Sequence, residues 1–297
     1  MSLVINHNLM ALNATRNLNA SYSRLSDSTR RLSSGLRIGT AADDAAGLAI
    51  RELMRADIST MNQGIRNAND AISMIQTADG ALQIIDEKLI RMKELAEQAA
   101  TGTYNSDQRL MIESEYQAMA SEITRIANAT DFNGIHLLNG TLSGNVHNGS
   151  GLNSTGRLKV HFGTGNDSAE DYYYIQIGIS TASALGIGNS ALRNSAGFTI
   201  STQSAAQAAL SGIDQAIISK DKIRAALGAL QNRLENTISN LSIQAENLQA
   251  SESRISDVDV ATEMTEFVRN QILTQAAVAM LSQANSLPQM AMQLIGG

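Results

Sequence analysis

The stretch LAIRELMRADISTMNQGIRNANDAISMIQTADGALQIIDEKLIRMKELAEQAA, Leu48 to Ala100, decides the fold. Ile58, Met61, Ile65, Ala68, Ile72, Ile75, Leu82, Leu89, Met92, Ala96 and Ala99 form a nearly unbroken heptad face along it. As one helix rising roughly 1.5 Å per residue, it would be on the order of 80 Å long. That is too long for a compact domain and natural for a rod. An apolar stripe of this length must be covered by other helices, so the rest of the chain has to supply them.

Thr101-Gly102-Thr103-Tyr104 ends the long helix, and Asn105 with Gln108 has the spacing of a capping box for a shorter antiparallel return. Ile112, Tyr116, Met119, Ile123 and Ile126 give that return its buried stripe, and Asp131-Phe132-Asn133-Gly134 is a turn signal that closes it. Residues 139–203 change character, with dense Gly, Asn, Ser and Thr. Two runs there have strand composition, Leu158 to Phe162 and Tyr172 to Ile177, and Gly163 to Ser168 between them reads as the loop of a β-hairpin. Helical pattern returns from about Ser204. Leu227, Leu234, Leu241 and Leu248 mark successive heptads, with Ile223 and Leu230 at the companion position, so this helix can lie along the first one.

The two ends carry the remaining pattern. Leu18, Leu25 and Leu32 repeat every seventh residue with Ala11, Ala14, Ser21 and Ser28 between them, a thin coiled-coil seam. Met264, Phe267, Val268, Ile272, Ala276, Met280, Leu281 and Ala284 cover a broad helix face. Seam and face can zip together, leaving surplus apolar surface directed at other molecules. Leu18, Leu25, Leu32, Met264, Phe267, Val268, Ile272 and Leu281 are the candidate self-assembly residues. The break Gly35-Leu36-Arg37-Ile38-Gly39-Thr40 and the cap-type run Thr40 to Asp44 form a joint. The expected fold is all-α dominated, a long antiparallel coiled-coil rod of N- and C-terminal helices with a small β-hairpin region. Residues 1–44 and 254–297 are expected to be the two halves of an inner coiled-coil domain. Residues 45–203, which include the hairpin, and the helix 204–253 are expected to be the halves of the rod domain.

Composition excludes several function classes. Of 297 residues 43% are hydrophobic but only 3% aromatic, with no Trp, no Cys and one Pro, Pro288, so Ala, Leu, Ile and Met must build the core. That suits helices packed on helices better than an aromatic-lined catalytic pocket. A formal charge of −6 spread in mixed signs leaves no basic stripe for nucleic acid and no anchor for an anionic membrane. No apolar run approaches a membrane span, and Met1-Ser-Leu-Val-Ile-Asn lacks the n- and h-regions of an ordinary signal peptide, so any export is expected to proceed without a cleaved one.

No chemistry of its own is expected: no enzyme, no catalytic residue, no metal and no cofactor. His7, His136, His147 and His161 sit in unrelated contexts without metal-ligand spacing. Gly151 to Leu158 has the glycine spacing of a phosphate loop but not its Lys or Ser/Thr, and reads as a turn. Asp43-Asp44 reads as helix-start acid rather than a catalytic pair. Arg24, Arg30, Arg31 and Arg37 read as subunit-contact or solvated charges, and triplets such as Asn148-Gly-Ser are assigned no glycans.

Three separated blocks carry a family resemblance. Ile5-Asn6-His7-Asn8 through Ser33-Ser34-Gly35-Leu36-Arg37-Ile38 and Ala41 to Ile50, then Thr130-Asp131-Phe132-Asn133-Gly134-Ile135, then Ile255-Ser256-Asp257-Val258-Asp259 through Gln283-Ala284-Asn285 resemble the bacterial flagellins nearly residue for residue. The resemblance covers about residues 1–140 and 205–297. It implies a short form without large variable outer domains, a subunit that polymerises into the extracellular flagellar filament for swimming motility and leaves the cell by the type III route. Implied partners are further copies of itself, an export chaperone on the C-terminal helix, and hook-filament junction and cap proteins. It also implies recognition by Toll-like receptor 5 through Arg91, Leu95 and Glu115, where Arg91 and Leu95 are four apart on one helix and Glu115 approaches from the return helix. The hook-filament junction protein is the alternative, but that family has Asp-Asp-Pro where this chain has Asp43-Asp44-Ala45.

Overall fold

A computed structural model describes residues 8–147, 156–168, 170–187 and 199–295. The order is α1 (Leu9–Ser34), α2 (Ala45–Ala100), α3 (Ser106–Ala129), β1 (Asp131–Phe132), β2 (Ile135–His136), β3 (Leu158–His161), β4 (Tyr172–Ile175), α4 (Gln203–Ser256) and α5 (Val260–Ile295). The architecture is all-α dominated with two small antiparallel hairpins. His7, most of Gly151 to Leu158 and Asn148 lie outside the described residues.

The chain divides into two compact units, Met1–Ile58 with Glu246–Gly297, and Ser59–Ala245. In the second unit the α2 heptad face is the core. Ala68, Ala71, Ile75, Ala78, Leu82, Ile85, Leu89, Met92, Ala96 and Ala99 are buried against Tyr116, Ala120 and Ile123 of α3 and Ile213, Ala216, Leu227 and Leu234 of α4. The alternation of Ala with larger residues lets the backbones approach and interlock.

Helix α3 begins where expected. Asn105 Oδ1 accepts from the Gln108 N–H at 2.8 Å while Gln108 Oε1 accepts from the Asn105 N–H at 3.0 Å, a complete capping box. It runs back along α2, held by Arg109 donating to the carbonyls of Ala99 and Thr101 at 3.0 and 2.9 Å. The turn signal after α3 makes a hairpin of its own, β1–β2. Asn133 and Gly134 both take positive φ, 53° and 80°, as a two-residue turn between twisted strands demands, and the Gly134 N–H donates to Asp131 Oδ2 at 3.1 Å.

In the longer hairpin, Leu158 pairs with Ile175 and Val160 with Tyr173. Ile175 and Val160 are buried, whereas Lys159 lies 3.5 Å over the Tyr172 ring. The hairpin is seated on α2: Asn67 Nδ2 donates to the His161 carbonyl at 2.9 Å, and Gly64 lies so close beneath Phe162 that a Cβ would run into the Phe162 carbonyl. Tyr173 turns to α4, with the Arg233 guanidinium 3.6 Å from its ring.

Candidate self-assembly surface

In the first unit α1 and α5 lie side by side and antiparallel. Asn8 Nδ2 donates to the Ala284 carbonyl at 2.7 Å near one end, and Arg31 meets Glu263 at 3.7 Å near the other. Asn8 also caps α1 by accepting from the Ala11 N–H at 3.0 Å, so one side chain starts the helix and pins its partner. The α1 seam is the expected one: Ala11, Ala14, Leu18, Ser21, Leu25, Ser28 and Leu32 are buried or half-buried, and the residues between them are exposed apart from Arg30 and Arg31. The facing seam on α5 is Glu263, Phe267, Asn270, Thr274, Ala277, Leu281 and Ala284, spaced alternately four and three residues.

Two of the predicted α5 residues, Phe267 and Leu281, therefore face α1, together with Leu18, Leu25 and Leu32. The other three do not. Met264 and Val268 are 44% exposed and Ile272 59%, on the side of α5 turned away from the seam. Val260, Leu273, Val278 and Met280 add to that exposed apolar surface, and Leu9, Leu12 and Tyr22 do the same on α1. Leu9 and Leu12 sit on the face of α1 opposite the Leu18-Leu25-Leu32 stripe, whereas Tyr22, four residues after Leu18 and three before Leu25, flanks the stripe. The seam itself is small and polar at many positions, with Ser28 and Asn270 both 5% exposed within it.

The joint between α1 and α2 is built from the glycine-, arginine- and aspartate-rich run. Gly35 ends α1 at φ 71°, donating its N–H to the Arg31 carbonyl at 2.8 Å, a left-handed cap that residues with a Cβ adopt reluctantly. Leu36 then makes a β-bridge with Asp257, the Arg37 N–H donates to the Ser256 carbonyl at 2.7 Å, and the Val258 N–H donates to the Gly35 carbonyl at 3.0 Å. The Arg37 guanidinium donates to the Ile255 carbonyl at 2.6 Å and Arg51 Nη1 to the Ile38 carbonyl at 2.7 Å. Arg30 forks onto Asp43 at 3.0 and 3.1 Å. Arg30 and Arg37 thus spend donors inside the chain while staying partly exposed, and Arg31 pairs at longer range with Asp43 and Glu263. Arg37 thereby satisfies a carbonyl left open in the last turn of α4.

The Arg30 guanidinium, helped by the Thr40 N–H and hydroxyl and the Gly39 N–H, holds the Asp43 carboxyl well below the usual carboxylate range. Asp44 caps α2 instead, accepting from the Gly47 N–H at 2.9 Å. Because the folded-state value of Asp43 is depressed, its contribution is fully present above the unfolded value of about 4 and is lost as pH falls below it. The melting temperature of Asp43→Asn is expected to lie below wild type at neutral pH. The gap should narrow steadily on acidification below about pH 4, as followed by circular dichroism; a gap independent of pH would contradict the assignment.

The three residues linked to receptor recognition separate. Arg91 donates to Glu115 Oε1 through Nε at 3.0 Å and Nη2 at 2.9 Å, and to Glu94 at 2.9 Å, an exposed cluster across α2 and α3. Leu95 is 1% exposed and packs in the core. A surface role for Leu95 beside Arg91 is corrected here. Leu95 is three residues after buried Met92 and four before buried Ala99, so the helical period carries it inward while Arg91 stays out. Among the described residues no group of His, Cys, Asp and Glu could hold a metal ion, and no helix is long and apolar enough to cross a membrane.

The model of the bacterial flagellin N-terminal helical region matches residues 5–143 and that of the C-terminal helical region residues 210–295. The chain is 43% identical over 293 residues to the flagellin of Halalkalibacterium halodurans, covering 99% of this chain and 100% of that protein. It is 42% identical over 306 residues to the flagellin of Bacillus subtilis, covering 98% and 99%. To the flagellar filament 33 kDa core protein of Treponema phagedenis it is 40% identical over 297 residues, covering 99% and 100%. A solved flagellar hook-associated protein from Vibrio parahaemolyticus covers 72% of this chain and 100% of its own, with a TM-score of 0.55 and 17% identity, a likeness of fold alone. Full-length agreement with flagellins and filament core proteins does not favour the junction-protein alternative. Two matched terminal regions, whose helices α1 and α5 this structure pairs, place the chain in the bacterial flagellin family.

Proposed function

We propose that this chain is the repeated structural subunit of a bacterial flagellar filament, assembling outside the cell and serving swimming motility. The observation that carries the reading is the exposed apolar face of α5. Met264, Val268 and Ile272 remain uncovered although α5 already has α1 as a partner. Surface of this kind on paired helices is covered most economically by the same helices of further copies, and a head-to-tail arrangement that does not close builds a filament. Family membership and the filament names of relatives support the same reading. On it, residues 1–44 and 254–297 form the inner domain of the subunit, and 45–203 with 204–253 the second domain.

An export chaperone for α5 and junction and cap proteins at the filament ends belong to this proposal, since the same apolar face needs cover before assembly. So does Toll-like receptor 5, for which the exposed Arg91–Glu115 pair is the candidate contact. The purified full chain, brought to high concentration with a precipitating salt, is expected to form long helical filaments under the electron microscope. A chain that stays monomeric, even when seeded with sheared filaments of its own kind, would refute the assembly reading.

A further inference from the structure

The buried seam of α4 contains one charged residue. Ala206, Ile213, Lys220, Leu227, Leu234 and Leu241 follow one another every seventh residue and all are buried. Lys220 is 1% exposed as a residue, and its ammonium meets Asp86 of α2 at 2.5 Å and Asp221 at 2.8 Å. It is flanked by two further pairs between the same helices, Lys93 with Asp214 at 2.7 Å and Arg224 with Asp79 at 2.7 Å. Asp79, Asp86 and Lys93 occupy the same heptad position on α2, seven residues apart.

The apolar heptads of two antiparallel helices repeat, so a slide by seven residues returns one apolar stripe onto the other. Hydrophobic pattern alone discriminates poorly among such registers, and in coiled coils a single buried polar residue with flanking charges selects one. Along α2 the signs run negative, negative, positive, and the opposing residues of α4 run positive, positive, negative. A slide of one heptad in one direction would bring Lys220 to Lys93. In the other direction it would bring Asp214 to Asp86. Either slip keeps one attractive pair and creates a like-charge pair. The first also takes the buried ammonium away from Asp86 and leaves it only Asp221 of its own helix, which is the more severe penalty because a buried charge needs its partners.

We infer that Lys220 and the three-rung charge pattern Asp79–Arg224, Asp86–Lys220 and Lys93–Asp214 specify the register of α4 on α2. The inference concerns the folded monomer and does not depend on filament assembly. Lys93→Asp tests it, because the new carboxylate gives Lys220 an acid in the slipped register and stands against Asp214 in the native one. The chain has no cysteine, so Gln76→Cys and Ser211→Cys, both exposed, place spin labels on α2 and α4 of the otherwise complete chain without background.

Pulsed electron–electron double resonance on refolded monomer should give one distance for the labelled parent. Lys93→Asp should add a second component longer by about 10 Å, the rise of seven helical residues. Lys93→Asp with Asp214→Lys restores the native rung and should return the distribution to the parental one. If Lys93→Asp keeps the single parental distance, whether or not its melting temperature falls, the register is set by apolar packing and the inference is overturned. Failure of the second substitution to remove the longer component would overturn it equally.

Discussion

Val268→Asp should abolish filament formation while leaving the monomer folded. Val268 lies on the face of α5 turned away from α1, so in the monomer the new carboxylate stands in water and the circular dichroism spectrum and melting curve should match wild type. In the proposed polymer the same position is buried in every copy. Burying an unpaired carboxylate costs several kcal/mol even after relaxation, and the cost recurs at each added subunit. Leu25→Asp acts differently, because Leu25 is in the α1 seam: it should damage the α1–α5 pair in the monomer as well as the polymer. Sedimentation and electron microscopy read polymerisation, and circular dichroism reads the pair. Normal filaments from Val268→Asp would show that this face is not the assembly surface.

Leu95→Ala should lower the stability of the second unit by about 2–5 kcal/mol, the range for a fully buried leucine whose cavity the neighbours only partly fill. Arg91→Ala should leave the melting curve nearly unchanged, because the Arg91 pairs with Glu94 and Glu115 are solvent-exposed and screened. In a receptor reporter assay on monomer, Arg91→Ala should reduce activation without loss of fold, whereas any loss in Leu95→Ala should follow its loss of stability. An Arg91→Ala monomer as active as wild type would remove the receptor proposal. A Leu95→Ala chain as stable as wild type would contradict its place in the core.

These expectations mark where the sequence was legible. The heptads of α2 and α4, the Asn105–Gln108 capping box, the strands at Leu158 and Tyr172 and the Leu18-Leu25-Leu32 seam were all readable. Each is a local period or a short-range hydrogen-bond pattern, and such patterns are complete within a few residues. Lys220 was readable too, by counting seven back from Leu227, but a search for apolar residues passes over a charged member of an apolar series. The resemblance to the flagellins implies a surface role for Leu95 beside Arg91, but the helical period that buries Met92 and Ala99 carries Leu95 inward with them.

What tertiary structure alone decided is which side of each helix is already occupied. The breadth of the apolar stripe on α5 shows in the sequence, yet only the pairing with α1 divides it into Phe267 and Leu281 inside and Met264, Val268 and Ile272 outside. The Arg30–Asp43 fork and the Arg37 contact with the Ile255 carbonyl, 218 residues apart, were likewise beyond sequence reading. Helical period is a property of the local backbone and is written in consecutive residues. The partner of a guanidinium or of an apolar face is set by whichever segment packs against it, and no spacing along the chain encodes that choice.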